Sequence, residues 1–265
     1  MRFSSTAATV ASTLLPLVCA AAVTATPHAV EPPRASLAWV EMAPGASRAE
    51  IVAAAGATKI LLYRFALAQF RADVVVGAGW PPARETAAAL VRRRAAVAAV
   101  NGGFFDERGA PLGLRIASGR KRAPLRPKAD WGVLVLGEAG ARIVHTRELA
   151  GRGGRAGVDD SGGAIQVGPR LLVAGQPLQL KPQIARRTAV ALERSGEALT
   201  LVVVDEPIDA NELAQSLASA GFDSALLLDG GPSTQLSVAV GDARADVPGG
   251  YPVPDLLVIV PRPAR

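Results

Sequence analysis

Residues 226–234 read LLLDGGPST, so three leucines run directly into a carboxylate, a Gly-Gly turn and two hydroxyls. An apolar run of this kind predicts a buried strand that carries Asp229 to the edge of a sheet. Glycine lets the backbone take a positive φ or approach a ligand closely, and successive N–H groups of a turn can point at an anion. The pattern predicts a binding loop whose candidate residues are Asp229, Gly230, Gly231, Ser233 and Thr234.

A second segment has the same construction. Residues 98–106 read AAVNGGFFD, which places Asn101, Gly102 and Gly103 after an apolar run, with Asp106 close behind. Either loop alone could be an ordinary tight turn in which a polar side chain caps its own backbone. Two such loops in one chain favour a shared ligand site.

Further short motifs accompany these two loops. In order along the chain they are NGGFF at 101–105 with Gly113 and Gly119, QVGP at 166–169 with Leu171, Leu172 and Gly175, RTAV at 187–190, VVVD at 202–205, and LDGG at 228–231 with Ser233 and Thr234. Their common order, from about Ile60 to Val260, resembles the phosphodiester glycosidase family. The resemblance implies an exported hydrolase that acts on a sugar phosphodiester, like the lysosomal member that removes N-acetylglucosamine from such a substrate.

The chain departs from the family pattern after Asp205. Family members usually continue this segment with glycine, whereas Glu206 and Pro207 follow here, so we expect a different local turn. Pro232, the third residue after Asp229, is a form that we associate with the bacterial branch of the family.

Hydrophobic periodicity predicts strands that are joined mostly by hairpins. A helix is expected from Pro81 to about Ala96, and a second one between an N-cap at Asp209 and a terminating Gly221, which makes one crossover among the hairpins. The fold class that follows is α+β, a single domain built on a mixed, largely antiparallel β-sheet with a few packing helices. The expected strands are 60–67, 72–76, 97–100, 188–192, 199–204, 225–228, 235–240 and 256–260.

The N-terminus has the layout of a secretory signal peptide, because Arg2 precedes an apolar stretch over residues 10–23. We therefore predict a signal peptide at 1–25, a proline-rich linker at 26–35 and a phosphodiester glycosidase-like domain at 36–263. The protein is expected to be exported, to the periplasm or outside the cell. The apolar stretch is shorter and more polar than a membrane span requires, so the mature chain is predicted to have no transmembrane segment.

The sulfur and imidazole groups are too few for a metal centre of the His or Cys type. Cys19, the single cysteine, lies in the predicted signal peptide, and His28 lies in the linker, which leaves His145 alone. Lipidation of Cys19 is disfavoured because Val18 occupies a position where a small residue is expected. No metal site and no cofactor are predicted.

The net charge of +6 does not by itself indicate a nucleic-acid partner. Arginine makes up almost all of the basic residues, and this skew can follow from genome base composition as easily as from phosphate recognition. Aromatic residues are too scattered for a base-stacking platform. A basic segment at residues 120–128 is broken by prolines and is predicted to be a surface loop, which either steers an anion towards the Asn101 loop or is simply solvated.

Hydrolysis of a sugar phosphodiester at the anomeric carbon needs carboxylates near the developing oxocarbenium ion and donors around the phosphate. Arg187 is the best phosphate donor, because a guanidinium can fork onto two oxygens, although it could instead pair with Asp205 or Asp229. Asp229 is the candidate nucleophile or base, and Asp205 is the candidate second carboxylate.

The remaining predicted site residues would bind the carbohydrate or sugar-phosphate substrate. Asn101 would bind a sugar hydroxyl or orient a water, and Asp106 is either an acid or a turn cap. The other predicted binding residues are Gly102, Gly103, Thr188, Gly230, Gly231, Ser233 and Thr234. Two alternatives stay open, a non-catalytic module that binds cell wall or polysaccharide, and a carboxylate-metal phosphodiesterase that cuts at phosphorus. The sequence leaves the sugar, the aglycone, the stereochemical course and the oligomeric state undetermined.

Overall fold

A computed structural model describes Met1 and residues 37–263, apart from 54–55, 57, 94–95, 139, 152–157 and 159–161. All the elements below belong to a compact unit, Arg34–Arg265. The predicted signal peptide, Cys19 and the linker lie outside the described residues. Within the described part of the chain, no helix is both long and apolar enough to cross a membrane.

About half of the described chain is β-structure. The helices are α1 (Ala87–Arg93), α2 (Thr146–Gly151) and α3 (Ala210–Ser219), and a single 3₁₀ turn spans Gly231–Ser233. The strands are β1 (Val40–Ala43), β2 (Ala46–Val52), β3 (Lys59–Ala66), β4 (Phe70–Val76), β5 (Ala98–Asn101), β6 (Arg115–Ala117), β7 (Arg120–Ala123), β8 (Gly132–Gly137), β9 (Gly140–His145), β10 (Gly163–Val167), β11 (Arg170–Val173), β12 (Gln176–Pro177), β13 (Ile184–Leu192), β14 (Ala198–Asp209), β15 (Ser224–Leu227), β16 (Leu236–Val240), β17 (Ala243–Val247) and β18 (Asp255–Pro261).

These strands form three sheets. Sheet A has the order β1-β2-β3-β14-β13-β15-β11-β12, sheet B has the order β17-β16-β5-β18-β4, and sheet C has the order β7-β6-β10-β8-β9. Each pairing between the named strands is antiparallel. The predicted α+β class with largely antiparallel pairing is confirmed.

The helical crossover does not produce a parallel pair, although it was the reason to expect a mixed sheet. Helix α3 joins β14 to β15, and these two strands run in the same direction. Strand β13 lies between them and pairs antiparallel with both. A crossover that skips one strand therefore keeps the whole of sheet A antiparallel.

The three sheets share one central core, to which each contributes one face. Alternation along the strands produces this arrangement, because successive side chains point to opposite faces. In β13, Val190 and Leu192 face the central core, whereas Ala189 and Ala191 face the opposite side. Each opposite face is covered by one helix: α3 packs on sheet A, α1 on sheet B and α2 on sheet C.

The predicted helices differ in outcome. For α3 the prediction is confirmed, because the Asp209 carboxylate accepts a hydrogen bond from Asn211 N at 2.9 Å and Gly221 follows the helix with φ +89°. The helix expected from Pro81 begins only at Ala87, because the preceding segment turns and then bridges sheet B through Glu85 and Val253. The basic segment at 120–128 is also not entirely a loop, since its first part forms β7, an edge strand of sheet C.

Candidate active site

The two predicted loops meet where sheets A and B come together. Asp229 lies two residues after the end of β15 in sheet A, and Asn101 is the last residue of β5 in sheet B. The Asp229 N–H donates to the Gly102 carbonyl at 3.0 Å, and the Asn101 side-chain amide donates to the Asp229 carbonyl at 2.7 Å. Asp229 is thus fixed by backbone contacts to both sheets.

Asn101 and Thr188 hold this junction. Both side chains are fully buried. The Asn101 Oδ1 atom accepts from the Thr188 hydroxyl at 2.7 Å and from Gln235 N at 3.2 Å. Both ends of the Asn101 amide and the hydroxyl of Thr188 are therefore engaged inside the protein, and the binding of a sugar hydroxyl or a water by Asn101 stays a prediction.

Both oxygens of the Asp229 carboxylate are held by donors of its own loop. Oδ2 accepts from the Ser233 hydroxyl at 2.6 Å, and Oδ1 accepts from Gly230 N at 3.0 Å. Burial raises the pKa of Asp229 above its ordinary value; the hydrogen bonds from Ser233 and Gly230 oppose this shift, nearby Asp255 adds to it and Arg115 opposes it. Asp229 nevertheless remains partly exposed, so the oriented carboxylate can reach a ligand.

Arg187 lies on the Gly230 side of this carboxylate. A Cβ atom built on Gly230 would lie 3.9 Å from Arg187 Cδ and 4.0 Å from its Nη1, so the two residues are neighbours. The Arg187 Nε donates to the Ile208 carbonyl at 3.4 Å and Nη2 donates to the Gln183 carbonyl, whereas Nη1 donates to no residue of the described chain. Burial lowers the pKa of Arg187, and Asp209 partly offsets this effect, but an arginine keeps its proton in proteins.

The turn after Asp229 has open space beside Gly231. Gly231 has φ +58°, a conformation that favours glycine, and a Cβ built there would meet no atom within 4 Å. Ser233 and Thr234 are fully buried. The Ser233 hydroxyl is used on Asp229, and the Thr234 hydroxyl finds no partner among the described residues, so neither is presented to solvent.

A buried ion pair beneath the loops was not identified from the sequence. Arg115 Nε lies 3.0 Å from Asp255 Oδ2, and neither side chain has any exposed surface. The other guanidinium nitrogens of Arg115 donate to carbonyls of Leu114, Gln166 and Phe104. The available signals were an arginine inside an apolar run and an aspartate at the start of the last strand.

This ion pair explains the first Gly-Gly motif. The Gly103 N–H donates to Asp255 Oδ1 at 2.9 Å and the Gly102 N–H donates to the Asp255 carbonyl at 2.9 Å. A Cβ on Gly102 would lie 1.7 Å from Asp255 Oδ1, and one on Gly103 would lie 2.4 Å from Arg115 Nη2. The N–H groups of these glycines and their lack of side chains therefore accommodate the ion pair, and their substrate-binding role stays a prediction.

Two further carboxylates have structural partners. The Asp106 carboxylate accepts a hydrogen bond from Ala110 N at 2.8 Å. It therefore caps a turn, which was one of the two roles predicted for it. Asp205 pairs with Arg186 and not with Arg187, and its side chain is 55% exposed. The register of β13 and β14 shifts opposite Arg186, so that Asp205 to Pro207 form a bulge where family members usually have glycine.

The sequence model of the phosphodiester glycosidase family matches residues 94–260, which are more than half of the chain. The chain belongs to this family. The match includes each loop and strand that contributes to the geometry above. No curated protein sequence gives a significant match.

Solved structures share the fold of this member of the phosphodiester glycosidase family. The zebrafish N-acetylglucosamine-1-phosphodiester alpha-N-acetylglucosaminidase catalytic domain, auto-inhibited by its pro-peptide, is 18% identical, with 87% of each chain covered and a TM-score of 0.63. A hypothetical protein from Synechocystis is 15% identical with a TM-score of 0.65, over 88% of this chain and 64% of that one. A putative exported protein from Burkholderia pseudomallei is 15% identical with a TM-score of 0.52, over 77% and 74%.

In this member of the phosphodiester glycosidase family, the described residues bring together no group of three or more His, Cys, Asp and Glu side chains that could hold a metal ion. Asp255, the carboxylate near Asp229, is already paired with Arg115. What the site offers is one oriented and partly exposed carboxylate, followed by Gly230, which has the Arg187 guanidinium as a neighbour.

Proposed function

We propose that this phosphodiester glycosidase hydrolyses a sugar-1-phosphodiester at the bond between the anomeric carbon and the phosphodiester oxygen. One observation carries the proposal: the Asp229 carboxylate is held by Ser233 and Gly230 while the free Nη1 of Arg187 lies beside Gly230. A carboxylate and a cation that are held within the same loop region match a substrate whose reacting carbon is attached to an anionic phosphate.

Each group has a defined task in this reaction. Arg187 binds non-bridging oxygens of the phosphate and counters the charge that builds up on it as the bond breaks. Asp229 attacks the anomeric carbon, or accepts a proton from the water that does so. A phosphate monoester is a good leaving group, so the reaction does not depend on a strong general acid. This fits a site in which Asp205 and Asp106 are occupied by Arg186 and by a turn.

Hydrolysis of a panel of sugar-1-phosphodiesters in oxygen-18 water tests the proposal. We expect the label in the sugar product, because water enters at the anomeric carbon. Label in the phosphate, together with loss of activity on chelation, would instead establish a metal-dependent phosphodiesterase. Binding without turnover, unchanged in the Asp229→Asn variant, would establish a carbohydrate-binding module.

We expect Arg187→Lys to lower kcat/KM about 10–100-fold, through both kcat and KM, because Arg187 binds the phosphate and also counters the charge that develops on it. Lysine keeps the charge but cannot form a bidentate fork, and a charge-assisted hydrogen bond contributes about 1.5–3 kcal/mol. Steady-state kinetics on the cleaved substrate measures the effect. Arg244→Lys is the matched control, since Arg244 is exposed on β17 and donates only to the carbonyls of Gly241 and Ala243. Equal kinetics for the two variants would remove Arg187 from the site.

We also propose that the protein is exported with removal of its leader. The layout of Arg2 and the apolar stretch supports this, and one structural neighbour is described as a putative exported protein. Mass spectrometry of native material should place the mature N-terminus between about Ala20 and Pro27. An intact Met1 in protein that fractionates with the cytoplasm contradicts the proposal.

A further inference from the structure

Tyr251 ends a short chain of hydroxyl groups that leads to Asp229. Its hydroxyl lies 3.2 Å from the Ser233 hydroxyl, which donates to Asp229 Oδ2 at 2.6 Å. Ser233 is fully buried, whereas Tyr251 is 38% exposed. The chain therefore connects a buried oxygen of the candidate nucleophile to a residue at the protein surface.

The protons of this chain have one arrangement when Asp229 is ionised. A carboxylate can only accept, so the single proton of Ser233 points at Asp229. The Ser233 oxygen is then an acceptor towards Tyr251, and the tyrosine must be the donor. When Asp229 is protonated, both hydroxyls can reverse, with Asp229 donating to Ser233 and Ser233 donating to Tyr251.

Tyr251 is held in place from several directions. Gln235 Nε2 donates to its carbonyl at 3.3 Å, and the preceding Gly250 N–H donates to the Pro232 carbonyl at 2.8 Å. Its ring meets the Phe105 ring edge to face, with centroids 6.3 Å apart, and the Arg84 guanidinium covers Phe105 at 5.2 Å. The hydroxyl is thus directed at Ser233 by packing and by backbone contacts.

The other groups around Asp229 do not duplicate this contact. Gly230 N binds the opposite oxygen, and Arg187 lies beyond Gly230 on that same side. Asp255 and Arg115 act on Asp229 from beneath as a mutually neutralised pair. The Oδ2 side of the carboxylate is contacted by Ser233 alone, and the Ser233 hydroxyl in turn meets only Tyr251 beyond Asp229.

We propose that Tyr251 is a positioning residue for Asp229: its hydroxyl donates to the Ser233 oxygen, strengthens the charge-assisted hydrogen bond from Ser233 to Asp229 and thereby favours the ionised carboxylate. The catalytic importance of this contact rests on the proposed function, in which ionised Asp229 is the reactive form. Tyr251, a residue at the surface, would then influence the fraction of Asp229 that is ionised. A ligand that contacts Tyr251 would then alter Asp229 without touching it.

Titration of Asp229 by NMR tests the inference without any substrate. Protein labelled with ¹³C at the aspartate carboxyl carbons gives one resonance that is missing from Asp229→Asn, which assigns it. We expect Tyr251→Phe to raise the midpoint of this resonance by about half a pH unit, which is the lower range for one hydrogen bond. Tyr63→Phe, which changes the other tyrosine of the chain, is the matched control and should leave the midpoint unchanged.

The Ser233→Ala background shows whether the effect passes through Ser233. There, adding Tyr251→Phe should produce no further shift, whereas a second shift of equal size would show that Tyr251 acts on Asp229 by another route. An unchanged midpoint in Tyr251→Phe alone overturns the proposal. If oxygen-18 labelling rejects the proposed reaction, the titration result stands by itself. If turnover is confirmed, the acid limb of kcat should move by the same amount with KM nearly constant.

Discussion

Asp229→Asn is expected to lower turnover of the sugar phosphodiester about 10²–10⁴-fold while binding is largely kept, because it removes a group that acts mainly in the transition state. The amide retains the shape of the carboxylate and an oxygen that can still accept from Ser233 or Gly230. Single-turnover kinetics and calorimetric binding of the intact substrate measure the two effects separately. Asp246→Asn, on the exposed side of edge strand β17, is the matched control and should behave as wild type.

The same variant makes a prediction about stability. Burial raises the pKa of Asp229, so the folded state binds this proton more tightly than the unfolded state does. Its contribution to stability is therefore fully present below the ordinary value of 3.8 and is lost as the pH rises through the folded-state pKa. We expect Asp229→Asn to have a higher Tm than wild type at pH 7 and no such advantage at pH 3. A lower Tm at pH 7 would contradict this.

Arg115→Met is expected to destabilise the protein by about 3–5 kcal/mol, because it leaves the Asp255 carboxylate buried without a counter-charge. Both side chains of this pair have no exposed surface. The midpoint and slope of urea unfolding give the change in free energy. In the Arg115→Met/Asp255→Asn double variant, part of this loss should be recovered, since the uncompensated charge is gone.

Lys59→Met provides the comparison for an ion pair in water. Lys59 Nζ lies 3.1 Å from Glu50, but the two side chains are 65% and 43% exposed. Exposed pairs contribute about 0–1 kcal/mol. Similar losses of unfolding free energy for Arg115→Met and Lys59→Met would contradict the prediction. They would show that the buried pair stabilises the protein no more than an exposed pair does.

Local patterns were sufficient to place several strands and the two loops, whereas strands such as β1, β2, β10, β11 and β17 were not predicted. The run that precedes Asp229 forms β15, the apolar residues before Asn101 form β5, and the capping pattern at Asp209 starts α3. Each of these signals lies within a few residues of the element that it predicts. The strand assignments and the antiparallel class therefore followed from periodicity and turn residues.

The roles of the loop residues could not be obtained in this way, because they depend on partners far along the chain. The side-chain amide of Asn101 is hydrogen-bonded to Thr188, Gln235 and Asp229. This polar residue at a strand end therefore joins buried segments of the protein. The Gly102-Gly103 pair makes room for Arg115 and Asp255, which are separated by 140 positions. A Gly-Gly motif gives the same sequence signal whether the neighbour is a ligand or a side chain.

Edge strand β7 has a consequence for the behaviour of the protein in concentrated solution. Arg120, Lys121 and Arg122 follow one another on this strand, all exposed, at the open margin of sheet C. Unpaired N–H and C=O groups at such a margin invite another β-strand to add to the sheet, and adjacent cations oppose this because two copies would bring like charges together. These cations therefore disfavour the joining of one molecule's sheet to the next, and high salt should weaken this protection.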